Sequence, residues 1–381
     1  MSMTNETKPA QASTKPAPGK SVAMQSKTGD EAADKAIGTA LKLRRGAGNG
    51  DAETGEIRDQ SEEVTIAPAI ANAFTKMREN GILSKATKAA RAQAAFQTIR
   101  LTIAPQIEAM LTLHEMFVMG QDPKVKRKPI TMLFSPTGVG KSTMAGQLEA
   151  LMMADAEEGT IPVLNVRLGS SGSALQFYEA MLTGAGEDFP TSKDTTTLRH
   201  RTIETLSDVG TVLVILDETQ HSEKGSGFGS AITAELKLLV DTGGFSIALL
   251  GTEKAKAIVM RDRELVSRLI APCSLDPLVW HEDDDRETWI DMLSQLEAEM
   301  LRLELTTGEV GLCDEEVAEA LCTACSGTIG QLMCVIQHAL KVAIYDDRDQ
   351  IDLTDIAVAV DDWSIALDFT SDNPIWALLD G

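Results

Sequence analysis

Ile130-Thr131-Met132-Leu133-Phe134-Ser135-Pro136-Thr137-Gly138-Val139-Gly140-Lys141-Ser142-Thr143 is an apolar run, a short loop with two glycines, and then a Lys-Ser-Thr step into a helical pattern. A strand feeding such a loop, with a helix opening behind it, is the context of a phosphate cradle. Loop and helix N–H groups converge on an anion there. Gly138 and Gly140 let the backbone approach closely and take dihedrals closed to other residues. Lys141 reaches the β- and γ-phosphates as a point charge, and Ser142 offers its hydroxyl to Mg²⁺. The expected nucleotide-binding set is Ser135, Pro136, Thr137, Gly138, Val139, Gly140, Lys141, Ser142 and Thr143, a Walker A loop for ATP. The usual pattern begins with Gly, and this chain has Ser135.

Downstream, Val212-Leu213-Val214-Ile215-Leu216 runs into Asp217-Glu218. A buried strand explains the apolar run but not two acids at its C-terminal end, which is where ligands sit in open α/β sheets. As a Walker B pair, Asp217 orients the magnesium shell and Glu218 polarises the attacking water. Leu249-Leu250-Gly251-Thr252 ends another strand; Thr252 is either a hydrogen-bond donor to the γ-phosphate or attacking water, or an ordinary turn threonine. Arg268, in Asp262-Arg263-Glu264-Leu265-Val266-Ser267-Arg268-Leu269, is either an arginine finger acting on a neighbouring subunit's ATP or half of a surface ion pair with Asp262 or Glu264.

Around these motifs the pattern alternates strand and helix, which implies a parallel sheet with crossover helices. Strands are expected at Ile130–Phe134, Val163–Val166, Thr211–Leu216 and Phe245–Leu250, with a fifth near Ile270–Leu275. Upstream, helices are expected over Val64–Glu79, Lys85–Arg100 and about Ile103–Met119. After Trp280 the chain reads as all-helical, with amphipathic helices at Arg286–Leu301, Asp314–Ala324, Ile329–Ile344 and Leu353–Trp363. The expected layout is a disordered arm over 1–64, N-terminal helices over 65–120, an α/β ATPase domain over 121–280 and a helical lid with a C-terminal segment over 281–381. The arm is poor in large apolar side chains and cannot offset its chain entropy.

Residues 1–100 carry 15 Lys/Arg against 11 Asp/Glu, whereas 101–381 carry 20 against 46, within a net charge of −22. So acidic a field argues against strong nucleic-acid binding by a lone subunit. Two segments are candidates for DNA-facing loops: the polar, locally basic Ser192–Arg201 and the glycine-rich Lys224–Gly229. Their residue types suit phosphate contacts rather than base readout. Cys322-x-x-Cys325 sits in an apolar helical pattern without a second ligand pair, so buried thiols are expected. No apolar run approaches the roughly 18 residues of a membrane helix, and the start lacks a signal pattern; a cytoplasmic protein without a membrane partner is expected.

The ordered set of Ser135–Ser142, Asp217-Glu218, Thr252 and Ser267-Arg268, followed by a helical lid, resembles the AAA+ ATPases. Leu250-Gly251-Thr252-Glu253-Lys254-Ala255, the Asp262–Leu269 segment, Leu278-Val279-Trp280 and the turn Gly327-Thr328-Ile329-Gly330-Gln331-Leu332 resemble the TniB/TnsC group of transposon-encoded ATPases over about residues 100–345. The resemblance implies an ATP hydrolase that uses Mg²⁺ and assembles as a ring or filament on double-stranded DNA. It also implies recruitment of a transposase and regulation of target choice. Other AAA+ tasks (helicase loading, a phage or secretion ATPase) and a nucleotide-binding scaffold without turnover are the alternatives. Many AAA+ lids carry an arginine sensor near the position of Gln331, which has no charge.

Overall fold

The computed structural model describes residues 68–169, 173–187, 194–219, 232–242, 244–270 and 273–379. The chain divides into two units, Met1–Ala86 and Thr87–Gly381. Helix α1 spans Pro68–Glu79 and α2 spans Ile82–Phe96. The arm expected over residues 1–64 lies outside the described residues, as does the candidate loop Lys224–Gly229.

The sheet, the candidate site and the C-terminal helices all belong to the second unit. After α3 (Ala104–Gln121) the chain runs β1 (Ile130–Phe134), α4 (Lys141–Ala154), β2 (Val163–Arg167), α5 (Ala174–Gly184), α6 (Thr195–Asp208), β3 (Leu213–Asp217), α7 (Thr233–Thr242), β4 (Ser246–Gly251), α8 (Glu253–Val259) and α9 (Arg263–Val266). The strands pair in parallel in the order β1-β4-β3-β2. Phe134 stands beside Gly251, and Leu216 beside Leu249. The register therefore brings Ser135, Asp217-Glu218 and Thr252 to one edge of the sheet.

Alternation along each strand sends side chains to opposite faces, and here both faces are covered. Met132, Phe134, Val214, Leu216, Ile247 and Leu249 pack on one side with residues of α5, α6, α7 and α8. Leu133, Leu213, Ile215, Ala248 and Leu250 pack on the other with Leu113, Met116, Met144 and Leu148 of α3 and α4. Burial on both faces is why these strands read as continuous apolar runs.

The expected fifth strand is corrected to a single bridge. Leu269 pairs with Ile130 in parallel, and the Ile270 N–H donates to the Ile130 carbonyl at 2.9 Å. By Leu275 the N–H instead donates to the Ser135 hydroxyl oxygen at 3.0 Å. The sequence places Pro272, which has no N–H, inside this stretch, and proline interrupts a ladder. The Ser192–Arg201 loop is corrected as well. Asp194 caps α6, accepting from the Thr197 N–H at 2.9 Å, and 195–201 are helical. Arg199 is paired with Glu235 at 2.8 Å and Arg201 with Glu187, so neither guanidinium is a free phosphate contact.

Beyond Trp280 come α10 (Asp283–Arg302), α11 (Glu315–Ala324), α12 (Ile329–Tyr345), α13 (Leu353–Ala359), a π-helical continuation Val360–Ile365, and α14 (Pro374–Leu379). The helix expected over Leu353–Trp363 changes hydrogen-bonding pattern at Val360, and α14 carries no expectation from the sequence. Their shared core includes Trp289, Leu293, Leu321, Ile336 and Ile356, and it also takes in Phe96, Ile99, Leu101 and Ile103. Cys322 and Cys325 are buried in it; burial pushes the Cys322 thiol up to about 11. Among the described residues no single helix is long and apolar enough to cross a membrane.

Gly327 joins this region to the α/β part. It has φ +63, its carbonyl accepts from the Leu278 N–H at 2.9 Å, and a Cβ there would stand 1.9 Å from the Leu278 carbonyl oxygen. Gly327→Ala combines a left-handed penalty of about 1 kcal/mol with an overpacking cost of about 1–3 kcal/mol. The expected result is a thermal midpoint lowered by about 5–10 °C, measured by calorimetry; an unchanged midpoint would mean that the turn rearranges freely.

Candidate nucleotide-binding site

The loop after β1 is held from three directions. The Ser135 N–H donates to the Gly251 carbonyl at 3.1 Å. The Ser135 hydroxyl, fully buried, receives Leu275. From the lid side, the Gly330 N–H donates to the Gly138 carbonyl at 2.7 Å. A Cβ on Gly330 would lie 2.8 Å from the Gly138 Cα, so only glycine permits this approach. Gly138 and Gly140 have φ +87 and +94, and Gly140 is the N-terminal cap of α4.

Thr137, Gly138, Gly140, Lys141, Ser142 and Thr143 line a cavity of about 390 Å³. Asp217, Glu218, Gly251 and Thr252 line it as well, as do residues of the α2–α3 connection and of α12. Of the remaining expected loop residues, Ser135 forms the anchor just described, Val139 packs into the core beneath the loop, and Pro136 is exposed. Lys141 is 9% exposed. Its ammonium donates to the carbonyls of Ser135 at 2.8 Å and Pro136 at 2.6 Å. Burial lowers its pKa, and the carboxylates of Asp217 and Glu218 partly offset that.

At the end of β3, the Asp217 carboxylate accepts from the Glu218 N–H at 2.8 Å, and Glu218 has φ +60. This left-handed bend costs about 1 kcal/mol for a residue with a Cβ and turns the Glu218 side chain toward the cavity wall. Thr219 supports it by donating its hydroxyl to the Leu250 carbonyl at 2.8 Å. Side by side, β3 and β4 carry the acidic pair and Thr252. The Thr252 hydroxyl oxygen is buried with no hydrogen-bond partner among the described residues.

Residues 95–277 match the model of the family described as bacterial TniB protein. The chain has the AAA+ fold and resembles TniB. The TniB match spans every element of the sheet and ends before α10. The solved structures that resemble the chain include the following three. ORC1 of Aeropyrum pernix in complex with DNA has 14% identity and TM-score 0.52, over 68% of this chain and 65% of that chain. Cdc6p from Pyrobaculum aerophilum has 11% identity and TM-score 0.52, over 70% of each chain. ORC2 of Aeropyrum pernix, as ADPNP–ADP complexes, has 12% identity and TM-score 0.49, over 68% and 66%. This chain thus spans slightly less than two thirds of the ORC1 and ORC2 chains, and identities this low bear on the fold alone. No curated protein matches in sequence.

Arg268 lies away from this cavity. Its guanidinium pairs with Asp241 at 3.0 Å and donates to the Glu264 carbonyl oxygen at 2.7 Å. Asp241 also holds Arg127 at 3.2 Å. The partner is thus a carboxylate on α7; Asp262 and Glu264, the two expected from the sequence, pair with Lys237 instead. Gln331 accepts from the Trp363 indole N–H at 3.0 Å and is not among the lining residues. The lid contributes Ile329, Gly330, Met333 and Gln337. The sequence reading missed these residues, together with Gln106 and the stretch from Phe96 to Leu101. Gln106 left a signal. It falls on the helix face of Ala109, Leu113, Met116 and Gly120, all buried, where an amide interrupts an otherwise apolar and small stripe.

Proposed function

We propose that this protein binds ATP·Mg²⁺ at the described cavity, hydrolyses ATP, and assembles on duplex DNA as a regulator that selects transposition targets and recruits a transposase. The observation that carries the ATPase reading is the convergence of Lys141, Asp217-Glu218 and Thr252, from three different sheet positions, on one cavity bounded by the lid. Lysine and backbone N–H groups suit the phosphates. The buried, unpartnered Thr252 hydroxyl has a proton to give to a phosphate oxygen. Ser142 and Asp217 would hold Mg²⁺, which when bound neutralises charge on the phosphates. Glu218 would take the proton of the attacking water.

The TniB resemblance supports the transposition reading. To act as an arginine finger, Arg268 would exchange its pair with Asp241 at 3.0 Å for a neighbour's γ-phosphate. A ligand that binds only the assembled state drives assembly. An acidic monomer would then gain its DNA contacts only collectively.

Electron microscopy of the full chain with duplex DNA tests this. A slowly hydrolysed ATP analogue is expected to give rings or filaments on DNA, with none formed without nucleotide or by Lys141→Ala. Nucleotide binding without any DNA-bound assembly at low salt would overturn the transposition reading and leave a different AAA+ task.

A further inference from the structure

Helix α3 is apolar on both of its sides. Ala109, Leu113, Met116 and Gly120 are buried on the side that faces the sheet. On the other side Ile107, Leu111 and Val118 form one stripe at helical spacing and are 47, 57 and 51% exposed. His114 lies within the stripe, and Glu108 and Glu115 run along one flank of it. Both glutamates are exposed and neither is in an ion pair among the described residues. The helix carries no Lys or Arg. A helix that is apolar all round belongs in a buried setting, so the exposed stripe is a surface fit for a partner. The same chain carries a surface of matching character. Met260, which follows α8, is 47% exposed, and Leu238 on α7 is 42% exposed. Lys237 pairs with Asp262 at 3.0 Å and Glu264 at 2.9 Å. It thereby holds α7 against α9, sets Leu238 and Met260 around one ion-pair cluster, and takes up the acids of this segment. Arg261 and Arg263 stand exposed beside Met260, and neither is in an ion pair among the described residues.

The two surfaces are complementary. Each has an apolar centre, one flanked by carboxylates and the other by guanidiniums, and opposite charges across a contact select the partner and fix its register. They cannot meet within one chain, because α3 packs on one face of the sheet and α7 and α8 pack on the other. A contact between two different patches of identical chains is heterologous, and it propagates as a ring or a filament. The glutamates beside the α3 stripe repel a phosphate backbone, so DNA does not suit this side. Resting on the reading of the protein as an assembling ATPase, we infer that the outward side of α3 docks on the Met260 surface of the next copy of this chain, with Glu108 and Glu115 facing Arg261 and Arg263. Helix α3 starts at the cavity, where Gln106 belongs to the wall, and the Met260 segment runs on through α9 to Arg268. The contact therefore directs Arg268 of one copy toward the cavity of the next.

The test is charge reversal in the full chain. E108R/E115R makes the α3 side basic, and R261E/R263E makes the other surface acidic. Assembly is read by light scattering with a slowly hydrolysed ATP analogue and Mg²⁺, and nucleotide affinity by calorimetry. Each variant alone faces like charge at every contact. It is expected to need at least about tenfold more protein to assemble, with nucleotide affinity unchanged. An equimolar mixture of the two variants is expected to assemble at the wild-type concentration, because every contact between unlike copies restores opposite charges. Unimpaired assembly of either variant overturns the inference and leaves the assembly reading standing. So does a loss that mixing does not rescue, because the α3 side would then be covered by another segment of this chain or by a different partner. E115R and R263E repeat the mixing test if a double variant does not fold. If the wild type forms no assembly with nucleotide, whether or not duplex DNA is present, the assembly reading itself falls and this inference with it.

Discussion

Lys141→Ala is expected to abolish nucleotide-induced stabilisation while leaving the fold intact. In the wild type, a ligand at a hundred times its dissociation constant stabilises by about 2.7 kcal/mol, enough to raise the melting temperature by about 5–10 °C. The ammonium of Lys141 sits in a largely buried position facing Asp217 and Glu218, where burial already disfavours its charge. Its present partners are two backbone carbonyls of the loop, which a triphosphate would replace with charged oxygens. Removing one partner of such a buried charge-assisted contact costs about 2–5 kcal/mol, or roughly 30-fold to several thousandfold in affinity. The measurement is the thermal shift with ATP and Mg²⁺. Equal shifts in the variant and the wild type would place the nucleotide somewhere other than the β1–α4 loop.

Glu218→Gln is expected to separate binding from turnover. A general base contributes about 10²- to 10⁴-fold to a proton-transfer step, so steady-state phosphate release should fall by at least about a hundredfold, with ATP affinity changed little. Glutamine has the same branching as glutamate and meets the same left-handed backbone at φ +60, so the substitution tests the carboxylate and not the bend. If assembly depends on bound ATP, the variant should also accumulate in the assembled form, seen as a larger species by light scattering in ATP. Undiminished turnover would remove Glu218 from the role of base. A wild type with no turnover in any assembly would favour a nucleotide-binding scaffold.

The strands β1 to β4 were legible within one or two residues, because burial on both sheet faces demands uninterrupted apolar runs of fixed length. The loop Ser135–Thr143 and the pair Asp217-Glu218 were legible because strand ends followed by glycine or acid violate what a core alone would select. The edge segment near Ile270–Leu275 misled for the same reason that the others succeeded. Its apolar character is that of a core strand, but its hydrogen bonds go to one bridge and then to a side-chain hydroxyl. Ser192–Arg201 read as a polar, locally basic loop because charge along a helix face looks like charge in a loop until the partners of Arg199 and Arg201, Glu235 and Glu187, are known.

The chain's own sequence determined the architecture and the loop-and-acid end of the cavity, because both depend on short-range patterns: periodicity, glycine spacing and acids at a strand terminus. Only the tertiary structure decided what closes the site. It brought Gly330 within a hydrogen bond of Gly138 across 192 positions and turned Gln331 away to Trp363. It placed Gln106 against Gly140 and set Arg268 on Asp241 in place of either acid beside it in sequence. These contacts depend on where separate elements pack, and packing at that range is fixed by the combined shape of several cores, which no local window of residues encodes.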